Sequence, residues 1–248
     1  MLAILGLFSD AKVEINPEEV AGLLKCSRAT AYRYLKALSD AGVLAAVGSG
    51  ELVLGPKVIE LERLIRRNDP LLTTARPVME SLNARLGANV MLCSYYGNQV
   101  LLADAIWCTT ENRHDYERGR PMSMFLGAMA KVILANVSPY QRRSLMLNHQ
   151  GEIKKAGLGD DWAEFNANMH RIRKERVCVT RAEVVSNLVG VAAPVFAPDR
   201  RVVGSLTLAL PTERWELGHE QDSLRDAVIN AASNVTDALS DLRRSKLE

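Results

Sequence analysis

Residues Ser27–Gly55 read SRATAYRYLKALSDAGVLAAVGSGELVLG. Ser27 can cap a helix through its hydroxyl. Beyond it Ala31, Tyr34, Leu35 and Leu38 fall at helical spacing and should pack inward. Arg28, Tyr32 and Lys36 recur every four residues and share another face, with Arg33 beside them. Gly42 ends the helix. A hairpin follows at once, with strands Val43–Val47 and Glu51–Leu54 turning at Gly48-Ser49-Gly50. Upstream, Asn16-Pro17-Glu18-Glu19 announces a shorter helix: Asn16 is the cap, Pro17 the first helical residue and Glu19 the reciprocal partner. Its stripe is Val20, Ala21 and Leu24, and Lys25-Cys26 is the tight turn between the two helices. Ala3–Phe8 is apolar enough for a short opening helix. Short helix, turn, basic helix and small hairpin is the order of a winged helix-turn-helix, which implies double-stranded DNA as partner.

A helix of this size fits the major groove, where Arg is the commonest reader of guanine edges. The expected base readers are Arg28, Tyr32 and Arg33. Ser27, Thr30 and Lys36 would contact phosphates or bases, and Ser49 at the wing a phosphate. Residues 11–60 hold six basic and six acidic residues, so the whole segment is not a basic patch. Residues 27–36 alone carry three positive charges and no acid. A merely solvated charged face is the competing reading of the same residues.

The chain has 248 residues, 48% of them hydrophobic and 24% charged, with a net charge of +2, which suits a globular protein of one large or two modest domains. No apolar run reaches membrane-spanning length. Met1–Phe8 lacks the basic lead and cleavage site of a signal peptide, so a cytoplasmic location is expected. Cys26, Cys93, Cys108 and Cys178 form no CxxC pair, which argues against a disulfide framework or zinc site. His114, His149, His170 and His219 are scattered. No zinc-hydrolase helix, nucleophile elbow, phosphate loop or dinucleotide fingerprint is present. Neither catalytic residues, a metal nor a cofactor is therefore expected. A nucleophilic pair of Cys93 or Cys178 with a distant histidine has no support in the spacing.

Three domains are expected: a head over 1–56, a helical linker over 57–87 and a second domain over 88–248. In the linker, Lys57–Arg67 reads as a helix. After Asn68-Asp69-Pro70 a second stripe follows, Leu71, Ala75, Val78, Met79, Leu82 and Leu86, with Pro77 expected to kink the helix or mark its start. Such a linker serves as a dimer contact or packs on its own domain. From Asn89 the pattern turns to strands: Asn89–Tyr96 and Gln99–Trp107 around Gly97-Asn98, then Cys178–Val185, Val189–Phe196 and Val202–Leu210. Helices are expected over Phe125–Val137, over Asp161–Glu175 (Trp162, Phe165, Met169 and Ile172 inward), and from Glu220 to Leu242 (Leu224, Val228, Ala231, Val235, Leu239 and Leu242 inward). Hairpin-joined strands with interleaved helices give an α+β domain, an antiparallel sheet with covering helices.

These segments resemble the IclR-type bacterial transcription regulators. The resemblance covers nearly the whole chain and is most specific at Leu52–Leu61 (LVLGPKVIEL), Arg118–Ala135 (RGRPMSMFLGAMAKVILA) and Asn187–Pro211 (NLVGVAAPVFAPDRRVVGSLTLALP). It implies a winged helix-turn-helix, a helical linker and a GAF-like effector-binding domain. It also implies homodimers, or dimers of dimers, on palindromic operators of catabolic genes. The family's pocket is walled by the segment before its lysine, here Phe125–Ala130 before Lys131, and by the strands near the C-terminus. Carried over, the acidic pocket position falls near Thr180, with Glu183 as a second acid. The polar position before Gly-Val-Ala-Ala falls at Gly190, and the last strand contributes Thr207 and Ala209. Gly190 and Ala209 lack the polar groups of the members that bind small acids. With Met124, Phe125, Leu126, Gly127 and Met129 on the facing segment, this implies a roomier, apolar pocket for an aromatic or other hydrophobic carboxylate.

The residues themselves supply a separate rationale. The free N–H groups at the start of the Phe125 helix attract a carboxylate, Arg118 and Arg120 lie just upstream, and Thr207, Cys93 or Tyr95 could add hydrogen bonds. Plain core remains the competing reading of Met124, Phe125 and Met129. A DNA-bound scaffold whose second domain no longer senses a small molecule remains the alternative function.

Overall fold

The computed structural model describes residues 1–48, 50–108, 116–217 and 220–245. The chain divides into two units, Met1–Asp69 and Pro70–Glu248.

In the first unit a 3-10 helix (Leu2–Leu7) precedes α1 (Pro17–Leu24), α2 (Arg28–Asp40), strands β1 (Leu44–Gly48) and β2 (Glu51–Leu54), and α3 (Pro56–Asn68). The capping box at Asn16 is complete: its side chain accepts from the Glu19 N–H at 3.0 Å and the Glu19 carboxylate accepts from the Asn16 N–H at 3.1 Å. Lys25 takes the left-handed conformation that reverses the chain into α2. Val20, Ala31, Leu35, Leu38 and Leu44 close a core with Ile4 and Ile15, while Ala21, Leu24 and Tyr34 pack at its margin. β1 and β2 pair antiparallel, and Ile15 bridges to Leu52, so the hairpin is tied to α1's approach. Gly55 makes the closure of this hairpin onto the end of α2 possible: a Cβ there would stand 2.3 Å from the Gly42 carbonyl oxygen.

The second unit contains α4 (Pro70–Leu86), β3 (Asn89–Tyr96), β4 (Gln99–Ile106), β5 (Pro121–Met122), α5 (Ala128–Asn136), α6 (Pro139–Lys155), α7 (Trp162–Glu175), β6 (Cys178–Arg181), β7 (Leu188–Phe196), β8 (Val202–Pro211), α8 (Thr212–Leu217) and α9 (Gln221–Arg244). Among the described residues the strands form one antiparallel sheet in the order β5-β4-β3-β8-β7-β6. Alternation gives it two unlike faces. Val90, Leu92, Val189, Val191, Leu206, Leu208 and Leu210 pack with α4 and α9. Met91, Cys93, Ala192 and Ala209 pack with α5, α6 and α7. The second face is built of smaller side chains because α5, buried from Ala128 to Ala135, lies close against it.

Several expectations need correction. The linker is divided: α3 belongs to the first unit and α4 to the second, so the second unit starts at Pro70 rather than at residue 88. α4 runs unbroken through Pro77, its stripe held on the sheet by burial of Leu71, Ala75, Met79 and Leu82. The Phe125 helix begins only at Ala128, because Gly127 caps it with φ 81° and ψ 153°. The strand expected to reach Val185 stops at Arg181, where Ala182 turns left-handed with φ 54°. Leu242 is 39% exposed, one turn past the last buried residue of α9, Leu239. Helix α6 was not anticipated, although Ser138-Pro139 with Gln141 forms a full capping box. Its buried Arg142 donates to the Ala135 and Val137 carbonyls (3.0 and 3.1 Å), satisfying the C-terminal end of α5.

Candidate nucleic-acid interface and effector site

In the first unit, α2 carries the expected reading face. Arg28, Tyr32, Arg33 and Lys36 are exposed and Thr30 is half-buried. The Ser27 hydroxyl accepts the Thr30 N–H at 3.3 Å and lies 3.0 Å from the Thr30 hydroxyl, so these two residues build the start of the helix. Arg28 leans toward α1, ion-paired with Glu18, and its guanidinium lies 5.9 Å from the Tyr32 ring centre. Both members of the pair are more than half exposed, so it is weak and easily exchanged for a phosphate. Among the described residues Arg33 and Lys36 have no ion-pair partner. Ser49 lies outside the described residues.

In the second unit a small cavity of about 20 Å³ lies between the start of α5 and the sheet. It is lined by Gly127, Met129, Thr180, Glu183, Gly190, Thr207 and Ala209 of the expected set, with Met91 and Tyr116 among the others. Strand register explains the convergence: Thr180 pairs with Gly190 and Gly190 with Ala209, while Thr207 lies between Ala192 and Met91. The cavity is smaller than the roomy pocket expected and holds about one water. The Thr207 hydroxyl is buried on its wall without a hydrogen-bond partner among the described residues.

The other four expected residues lie elsewhere. Phe125 is in the core, its ring 5.5 Å from that of His149, and Met124 packs on the same core. Leu126 is 38% exposed. Cys93 is fully buried, its thiol 3.2 Å from the Met129 sulfur. Tyr95 packs on the same core and donates to Asn98 at the hairpin turn, and neither it nor Arg118 nor Arg120 lines the cavity.

The anion-attracting start of α5 is occupied from within the chain. Glu183 accepts the Gly127 N–H at 2.9 Å through one carboxylate oxygen and the Lys131 ammonium at 2.7 Å through the other. Lys131 is buried and also reaches the Ala156 carbonyl at 3.4 Å. Gly127 and Lys131 are one turn apart on α5, so a single carboxylate bridges them. Sequence reasoning named Glu183 but not this partnership with Lys131. On the other side of Glu183 lies a second cavity of about 240 Å³, lined by Lys131, Asn168, Arg171, Glu175 and Arg225 among others, with Thr180 and Glu183 common to both. A larger open groove of about 790 Å³, bordered by Arg173, Arg176, Arg200 and Arg244, contains none of the expected residues.

Nucleophilic chemistry finds no support. Burial pushes the Cys93 and Cys178 thiols up to about 12, so both stay protonated at neutral pH. His149 is half-buried and His170 exposed on helices, and His114 and His219 lie outside the described residues. Among the described residues no group of His, Cys, Asp and Glu could hold a metal ion, and no helix is long and apolar enough to cross a membrane.

The family model for the IclR C-terminal domain of bacterial transcriptional regulators matches residues 65–237. The chain belongs to the IclR family. It is a transcription regulator, not an enzyme. The HTH-type transcriptional regulator KipR of Bacillus subtilis is 23% identical over 239 residues, covering 94% of each chain. An IclR transcriptional regulator of Silicibacter sp. TM1040 superimposes with a TM-score of 0.79 at 22% identity, over 96% of this chain and 94% of that one. An IclR homologue from Microbacterium hydrocarbonoxydans, solved in complex with 4-hydroxybenzoate, gives a TM-score of 0.68 at 15% identity over 96% of each chain. The IclR sheet and covering helices are thus the frame that brings Thr180, Glu183, Gly190 and Thr207 against Gly127.

Proposed function

We propose that this IclR-family protein is a cytoplasmic, ligand-responsive regulator that binds palindromic operator DNA of catabolic genes as a homodimer or dimer of dimers. The carrying observation is the exposed face of α2, where Arg33 and Lys36 have no ion-pair partner among the described residues and Arg28 is held only by surface contacts. Arg28, Tyr32 and Arg33 read bases in the major groove. Ser27, Thr30 and Lys36 contact phosphates or bases, and Ser49 a wing phosphate. Self-association runs through α3, which buries none of its residues in its own unit and carries Val58, Leu61 and Ile65 as one stripe.

The effector is a small organic acid, aromatic or hydrophobic, held between the start of α5 and the sheet. The unpartnered Thr207 hydroxyl supports this reading, as does the 4-hydroxybenzoate complex of the Microbacterium homologue. The ligand shifts the operator-competent population by binding the two states unequally. A second reading, a DNA-bound scaffold that senses nothing, is favoured by the small cavity and by Glu183 filling the anion position.

The test is fluorescence anisotropy of the full chain on labelled DNA from its own upstream region, at defined salt, with benzoate, 4-hydroxybenzoate, pyruvate and glyoxylate. Competitor-resistant binding that an aromatic acid shifts is the expected result. Specific binding shifted by none of them favours the scaffold, and absence of specific binding overturns the DNA reading.

A further inference from the structure

Thr180 and Glu183 line both the inner cavity of about 20 Å³ and the outer one of about 240 Å³, so they form the wall between them. Thr180 is on a strand and paired with Gly190. Glu183 is not. It belongs to the segment between β6 and β7, whose base is closed by the Ala182 N–H donating to the Leu188 carbonyl at 2.9 Å. Within that base, Glu183 is fastened by its carboxylate to Gly127 and Lys131, and its side chain is 28% exposed. Glu183 lies outside both strands, so turning this side chain breaks no ladder hydrogen bond.

The two sides ask for different parts of a ligand. At the wall stand a backbone N–H at a helix start and a buried ammonium, the two donors that Glu183 now satisfies. They are matched to any carboxylate of similar reach. Farther out, Arg225 lines the outer cavity with its Nε buried and without an acceptor among the described residues. Its neighbour Arg171 is already engaged, with Asn168 at 3.5 Å and Glu175 at 3.8 Å. The lining of the inner cavity, apart from Tyr116, Thr180, Glu183 and Thr207, is apolar or glycine.

We propose that Glu183 is a displaceable internal stand-in for the effector's carboxylate, and that the site it uncovers takes a small dicarboxylic acid. One carboxylate replaces Glu183 on the Gly127 N–H and Lys131, and the other meets Arg225. This rests on the effector reading given above and narrows it from organic acids in general to acids charged at both ends. The joined space approaches the ~300–1,000 Å³ typical of small-molecule sites, which the inner cavity alone does not. A monocarboxylate gains only the inner contacts and must still expel Glu183, so it binds more weakly.

The experiment is calorimetric titration of the full chain with benzoate, terephthalate, isophthalate and adipate, repeated on Glu183→Gln, Arg225→Ala and the double variant. Glu183→Gln keeps a hydrogen-bond acceptor and removes the competing charge. It is expected to tighten all four acids by about ten-fold, the worth of one charge-assisted hydrogen bond. At least one dicarboxylate is expected to bind about ten-fold tighter than benzoate, and Arg225→Ala to erase that margin while leaving benzoate unchanged. Glu183→Gln that melts lower and tightens no acid makes Glu183 structural and overturns the displacement. Benzoate tightened by Glu183→Gln, with every dicarboxylate at or below it, or with a dicarboxylate margin that survives Arg225→Ala, overturns the dicarboxylate assignment while the effector reading stands. No binding by any acid to any variant overturns both.

Discussion

Gly127 caps α5 at the edge of the inner cavity, and Gly127→Ala should cost stability for a reason that can be separated from packing. With φ 81° and ψ 153°, Gly127 sits in a backbone region that is essentially closed to residues with a side chain. Occupying it costs an alanine about 1–3 kcal/mol, offset by the ~0.4–1 kcal/mol that Gly→Ala gains by stiffening the unfolded chain. The new Cβ would also stand 2.9 Å from the Val184 Cγ2. Val184 is 42% exposed, so its methyl can turn aside and the backbone penalty dominates. The mid-range values leave a net loss of roughly 1.3 kcal/mol, about 3–5 °C for a unit of this size. Scanning calorimetry of the full chain, following the transition of residues 70–248, reads it directly. Gly127→Ala with Val184→Ala removes the clash but not the backbone strain, and should melt with the single variant. A Gly127→Ala protein as stable as the parent, or a double variant restored to the parent's melting temperature, would refute the reasoning.

On the DNA side, Arg33→Ala should cost about 1–3 kcal/mol of operator affinity and relax base preference, whereas Lys36→Ala should weaken all sequences alike and reduce the salt slope by about one. Anisotropy on specific and scrambled duplexes across a salt series distinguishes the two, and base-selective loss at Lys36 alone would reverse their roles. Leu61→Glu puts a charge on the α3 stripe at a position already 45% exposed, so residues 1–69 should melt unchanged while sedimentation equilibrium shows loss of self-association. Unchanged association would remove α3 from the interface. Glu19 has its carboxyl held below the ordinary value of 4.5, first by the hydrogen bond from Lys12 and then by the Asn16 N–H. A lowered folded pKa gives stability that is present above pH 4.5 and lost as pH falls through the folded value. Glu19→Gln keeps the cap without that dependence. Its melting curves and the parent's should therefore differ at neutral pH and converge in acid, and parallel curves throughout would show that the pairing contributes nothing.

What could be read from the chain alone was what short-range chemistry determines. The Asn16 box, the Ser27 cap, the Lys25 reversal and the spacing of Ala31, Leu35 and Leu38 each involve residues within a few positions of one another, and all stand as expected. Helix α6 escaped because its apolar residues follow no clear stripe: Leu145, Met146 and Ile153 are buried, but Arg142 is buried with them and Leu147 is 80% exposed. The early stop at Arg181 escaped because Val184 and Val185 continue a strand-like pattern. The chain turns away at the left-handed Ala182, and the turn carries Glu183 to Lys131. That contact spans 52 residues, and no periodicity encodes it.

The same comparison explains why seven of eleven expected effector residues converge while four do not. Thr180, Gly190, Thr207 and Ala209 alternate along three neighbouring antiparallel strands, so naming any one of them places the others on the same face. Met124, Phe125 and Leu126 are expected at the pocket only because the resemblance walls it with the segment before Lys131. With the start moved to Ala128, those three belong to a bent approach, and only Gly127 and Met129 retain the facing. A single glycine with φ 81° thus sets which apolar residues wall the cavity. It also leaves the N–H of α5's first turn pointing at a carboxylate, and Glu183 accepts it. The hold of Glu183 on the start of α5 and the facing of Gly127 and Met129 have one cause, the cap geometry of α5, so altering Gly127 must change both together.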